Sequence, residues 1–181
     1  MMNIRPFLCC LLMGLVMLTP SSRPQAQTTA IRIRTGFTDL HCLCIQADFP
    51  PENRDCSDME ELFGTYMDAV PDIPYVKLNS RITLRLPCFS STQVEVTDFL
   101  LKPTGEIKYG AVESFEVEMK AGRGAFDLQL CPAAMFSSNL GDYLEGRSYR
   151  GFLVSWQAEN QLFQAVFVLR TNAASFPVTF A

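Results

Sequence analysis

The chain is short of the groups that most enzymes use. It has one histidine, His41, and one tryptophan, Trp156. No G-x-S-x-G or S-x-x-K signature occurs, which leaves the common serine-nucleophile sites without a starting point. His41 sits beside Cys42, but neighbours on a strand face opposite sides, so adjacency does not make a nucleophile–base pair. His41 therefore reads as a structural or surface residue. Basic charge is also scarce: 15 Lys and Arg stand against 19 Asp and Glu, a net charge of −4. An acidic chain of this kind argues against nucleic acid as a partner, since phosphate binding needs a basic surface. After residue 26 there is no N-x-S/T sequon. Nothing marks the chain for N-glycosylation, which leans toward a bacterial envelope or secreted protein.

Long apolar runs are missing as well, with one exception near the start. Arg5 is followed by the uninterrupted run Phe7 to Leu18, and Pro20, Ser21 and Ser22 then break it. That layout is a secretory signal peptide, expected to cover residues 1–26, with Ala26 as the last residue removed. The run is shorter than the ~20 apolar residues a membrane span requires. No later stretch qualifies, so no transmembrane segment is expected in the mature chain. Removing Arg5 and Arg23 lowers Lys plus Arg from 15 to 13 against 19 acids and moves the net charge from −4 to −6. Residues 27–181 are enough for a single domain with its own core.

Cysteine is present in an informative number. Of seven in all, Cys9 and Cys10 fall in the leader. Cys42, Cys44, Cys56, Cys88 and Cys131 remain, in a chain bound for an oxidising compartment. Five allow two bridges and one free thiol, with connectivity open. On an extended strand Cys42 and Cys44 face the same side, so each is better placed to bridge a different segment. A C-x-C redox pair is the competing reading, and it needs an exposed thiol of low pKa. Zinc is disfavoured, because structural zinc sites space their cysteines by two to four residues.

Period-two patterning dominates the rest. Ile82, Leu84 and Leu86 alternate with Arg81, Thr83 and Arg85; Phe115, Val117 and Met119 alternate with Glu116, Glu118 and Lys120; Phe126, Leu128 and Leu130 alternate with Asp127 and Gln129. Such strands keep one face on a core and one in water. Pro103-Thr104-Gly105 and Gly122-Arg123-Gly124 read as turns. Tyr149 to Gln157 and Leu162 to Arg170 read as a hairpin near the middle of a sheet, with Trp156 in the core. Phe176 to Phe180 carries Pro177 and reads as an edge strand. One helix is expected near residues 58–70. Ser57 and Glu60 supply a capping box, Met59, Leu62, Phe63, Tyr66, Met67 and Val70 supply an apolar stripe, and Pro71 stops it. The fold class expected is mainly β: a two-layer antiparallel β-sandwich, immunoglobulin-like or jelly-roll-like, with one inserted helix. A small closed barrel is the main competitor.

The acids suggest little chemistry. Asp58, Glu60 and Glu61 suit the first turn of a helix, and the spacing from Asp48 to Glu61 does not match an EF-hand. Glu113, Glu116 and Glu118 read as solvent-face carboxylates before they read as a glycosidase pair. No metal and no cofactor are expected. The long connection from Pro132 to Arg150 is the candidate binding surface, with Phe136, Asn139, Asp142, Tyr143, Arg147, Tyr149 and Arg150 as its residues. The functional expectation is an exported, extracellular or periplasmic, non-enzymatic module that binds a protein or glycan at the cell surface. The alternative is a structural subunit of a pilus-like or envelope assembly, disulfide-linked or joined through an edge strand. A thiol-redox or hydrolytic enzyme ranks last.

Overall fold

The computed structural model describes residues 31–47, 56–86, 93–136, 140–158 and 161–174. The leader, Cys88 and the Phe176–Phe180 run lie outside them. Nine strands and one α-helix follow in chain order: β1 (Arg32–Thr35), β2 (Thr38–Leu40), β3 (Leu43–Ala47), α1 (Cys56–Ala69), β4 (Arg81–Arg85), β5 (Gln93–Leu101), β6 (Ile107–Lys120), β7 (Arg123–Asp127), β8 (Ser148–Ala158) and β9 (Gln161–Thr171). All nine belong to one sheet in the order β2-β1-β4-β7-β6-β5-β8-β9-β3, and every neighbouring pair is antiparallel.

Chain connectivity forces this sheet to curl. Strands β2 and β3 are its opposite edges, yet only His41 and Cys42 separate them. The step from Leu40 to Leu43 reaches about 10 Å at most. A flat sheet would hold its first and ninth strands about 38 Å apart, at eight strand spacings of about 4.8 Å. Side chains report the same curvature. Phe126 on β7 and Phe152 on β8 are three strands apart, but their ring centroids lie 5.9 Å from each other. The result is a half-barrel and not the two-layer sandwich expected from the alternation. The mainly-β, antiparallel reading with one helix holds.

The inner face is the core. Ile33, Ile82, Leu84, Val96, Phe152 and Phe167 point into it and are almost fully buried. Phe152 stacks on Phe167 at 4.8 Å. Trp156 is buried here, stacked on Phe163, as its alternation suggested.

The outer face is divided between helix and water. Over β5, β8 and β9 it is apolar too, so β8 and β9 are buried almost end to end, the pattern of strands covered on both sides. Helix α1 supplies the cover. Phe63 meets Phe99 edge-on at 5.3 Å. Gly151 leaves the room, because a Cβ there would sit 2.5 Å from the Phe63 ring. At Gly105, in the β5–β6 turn at φ +91°, a Cβ would fall 2.6 Å from the Gly64 amide nitrogen. Glu60 does not close a capping box with Ser57: its carboxylate accepts the Ile107 amide at 2.9 Å and ties the helix to β6. Tyr66 donates to the His41 carbonyl at 2.8 Å, anchoring the helix at the crossing between the two sheet edges. Fully burying a side chain such as Phe63 is worth roughly 1.5–3 kcal/mol.

A strap from Ile73 to Ser80 closes one end. Val76 donates to the Arg170 carbonyl and Asn79 to the Leu128 carbonyl, joining the end of β9 to the segment after β7. Ile73, Val76 and Leu78 turn inward from it. Over β1, β4 and β7 the outer face stays open, and β4 alternates exposed and buried along its whole length.

Candidate functional site

Register places four cations in a line on that open face. Arg32 on β1 lies opposite Arg85 on β4. Arg85 lies opposite Arg123 on β7, and Arg123 lies opposite Lys120 on β6. The last pair flanks a two-residue turn, Ala121-Gly122, with φ of 51° and 72°. Positive φ at both positions is what a type I′ hairpin turn requires, so the turn locks Lys120 against Arg123. All four residues are exposed. At about 4.8 Å per strand the row spans roughly 14 Å at right angles to the strands.

Three cations near or beyond the row are neutralised. Arg34 pairs with Asp39 at 2.7 Å, Arg81 with Asp127 at 3.3 Å and Lys102 with Glu106 at 2.5 Å. Among the described residues none of Arg32, Arg85, Arg123 and Lys120 has an ion-pair partner. Glu116 and Glu118 line an adjoining groove with Lys120 and Arg123 but do not pair with them. Like charges directly opposite each other on a sheet are destabilising. The cost stands out in a chain with more acids than bases. An open groove of about 340 Å³ runs between Arg32, Arg34, Arg85 and Arg123, with Thr83 beside them.

The described residues of the connection expected to bind fall in different surroundings. It contains two short 3-10 helices, Pro132–Phe136 and Leu140–Tyr143. Asn139 lies outside the described residues; Phe136 and Asp142 fall within these helices. Ala134 and Tyr143 pack against Leu100 and Ala173, capping the end of the half-barrel. Arg147 is exposed and Tyr149 half-buried. Arg150 points inward and is 3 % exposed. Its guanidinium donates through Nε to Asp98 Oδ1 at 3.1 Å, through Nη2 to Asp98 Oδ2 and through Nη1 to the Gln129 carbonyl. It also lies over the Phe152 ring at 5.4 Å. Burial pushes the Asp98 carboxyl above its usual range, and Arg150 opposes that. Arg150 is thus a core ion pair and not a contact residue. Sequence reasoning missed the neighbouring Tyr75 and Leu144, both large, apolar and well exposed.

Cys42 is half-buried and Cys44 exposed, and the two thiols hydrogen-bond to each other. Burial, then the neighbouring Cys44, pushes Cys42 up to about 12; burial also raises Cys44. Raised thiols are poor nucleophiles. Cys42, Cys44 and Cys131 are free, so the two expected bridges are not formed among the described residues. Cys56 opens α1. His41 is exposed, with its ring 5.7 Å from that of Tyr66. Glu116 and Glu118 share the outer face while Glu113 alternates to the inner side, so the three do not converge. Among the described residues no group of three metal-ligating side chains occurs, and no helix is long and apolar enough to cross a membrane.

No family model matches the chain, and neither the curated proteins nor the solved structures include a significant match to it.

Proposed function

We propose that the protein is an exported, non-enzymatic binding module that captures an anionic partner at the cell surface, in the extracellular space or the periplasm. The row Arg32, Arg85, Arg123 and Lys120 carries the reading. Unneutralised cations held in register across four strands cost stability in the free protein, and an anionic ligand would recover that cost. The leader-like segment Arg5 to Ala26 supports export. Raised thiol pKa values at Cys42 and Cys44 and the dispersed carboxylates on β6 support a role in binding over one in catalysis.

The test is retention on immobilised dextran sulfate, a generic polyanion. Wild type should elute at high salt, and Arg85→Glu/Arg123→Glu near the void at moderate salt. Equal elution of the two would remove the row as the site. Export is tested separately by sequencing the N-terminus of the secreted protein. A start after Ala26 or after a nearby small residue is expected.

Assembly through an edge is the second reading. Among the described residues β3 is a sheet edge with one side unpaired, and it carries the exposed Cys44. Size-exclusion chromatography with and without reductant separates the two: a reductant-sensitive dimer would favour assembly.

A further inference from the structure

We infer that the partner is a linear acidic glycan, laid across the strands with its sulfate or carboxylate groups on Lys120, Arg123, Arg85 and Arg32. The inference rests on the binding-module reading above and narrows its ligand. Three features of the site select this class. The cations form a row of about 14 Å along the curved sheet and do not converge on a point, so they suit a chain of repeating charges better than one small anion. Three of the four are arginine, whose planar fork matches the oxyanions of sulfate and carboxylate two bonds at a time. An open groove of about 340 Å³ between Arg32, Arg85 and Arg123 leaves room for part of a polymer beside the charges.

Competing occupants lack their own marks. Single-stranded nucleic acid is held by aromatic platforms for its bases, and no aromatic residue lines the groove between Arg32 and Arg123. A bilayer surface would call for apolar side chains beside the cations. The fully exposed Phe37 sits at the β1–β2 turn, at the other end of β1 from Arg32. An extended acidic peptide would add to a sheet edge, but β1, β4, β7 and β6 are all internal strands with both sides paired.

The experiment is a titration of the full exported chain, followed by fluorescence anisotropy. The probes are heparin-derived oligosaccharides of defined length, the same oligosaccharides desulfated, single-stranded RNA, phosphatidylserine vesicles and dextran sulfate. Affinity for the sulfated series should rise with length until the chain spans about 14 Å, and then level off. Desulfation should weaken binding at least about tenfold, and Arg85→Glu/Arg123→Glu about a hundredfold, near tenfold per charge-assisted contact. Arg147→Glu, on the exposed connection, should stay within about threefold of wild type, because it lies outside the row. RNA or vesicles bound as tightly as the glycan, with the same loss in the double variant, would overturn the glycan assignment and leave the anion site standing. Failure of dextran sulfate to bind in a way that depends on Arg85 and Arg123 would overturn both.

Discussion

Replacing Arg85 by Glu should make the unliganded protein more stable. Arg85 has a cation directly opposite on each side, Arg32 on β1 and Arg123 on β7. The substitution turns two repulsive cross-strand pairs into two attractive ones. Such pairs are worth roughly 0.2–1 kcal/mol each, and exposure to solvent favours the lower half of that range. Removing two repulsions and adding two attractions gives a net gain of about 0.8–2.4 kcal/mol at low salt. A chain of this size shifts its Tm by about 2–4 °C per kcal/mol, so the rise should be about 2–10 °C. Arg85→Gln removes repulsion without adding attraction and should fall between the two. The gain should shrink as salt rises toward 1 M, where the Debye length is about 3 Å. Thermal unfolding followed by circular dichroism at 20 mM and 1 M salt measures all three proteins. A lower Tm for Arg85→Glu at low salt would refute the reasoning, because it would mean that Arg85 is already stabilised where it stands.

Three further outcomes follow from the core and the thiols. Asp98→Asn leaves the Arg150 guanidinium buried without its carboxylate and should cost about 3–5 kcal/mol in urea unfolding, while Asp98→Leu/Arg150→Met should cost far less. Gly151→Ala drives a methyl into the Phe63 ring and should cost about 1–3 kcal/mol, with Phe63→Leu recovering part of the loss in the double variant. Because burial holds the Cys42 thiol near 12 and raises Cys44 as well, these two thiols should label slowly with iodoacetamide from pH 7 to 9 in the native protein and fully once it is unfolded, read by peptide mapping. Rapid labelling at pH 7 would revive the thiol-redox reading.

Much of the fold was legible in the sequence, for physical reasons that also mark where it was not. Strands β4, β6, β8 and β9 declare themselves because one or both faces are buried over many residues, and α1 does so through its apolar stripe. Strand β5 was not singled out. Its alternation holds through Val94 and Val96 and then fails, because Asp98 and Leu100 face the core end while Phe99 and Leu101 face α1. The curl was not legible either. It depends on β2 and β3 being opposite edges joined by two residues, and pairing order is not a property of any local window. The 132–150 connection was read as a binding loop from its length and composition. Within it Tyr143 packs at the end of the half-barrel and Arg150 fills the interior, roles that length and composition do not reveal.

The cationic row shows the same limit from the other side. Arg85 and Lys120 were visible as outward positions of alternating strands, but the turn expected at Gly122-Arg123-Gly124 lies at Ala121-Gly122, which puts Arg123 on β7. Nothing local joins them to Arg32. Only the register of four strands does so, which is why an acidic composition concealed a basic surface.

The most direct measurement is an NMR titration of arginine Nε–H resonances with a sulfated oligosaccharide long enough to span the row. Shifts at Arg32, Arg85 and Arg123 that saturate together, with Arg81 and Arg147 unmoved, are the expected result. Shifts centred on Arg147, or none at the three row arginines, would contradict the account.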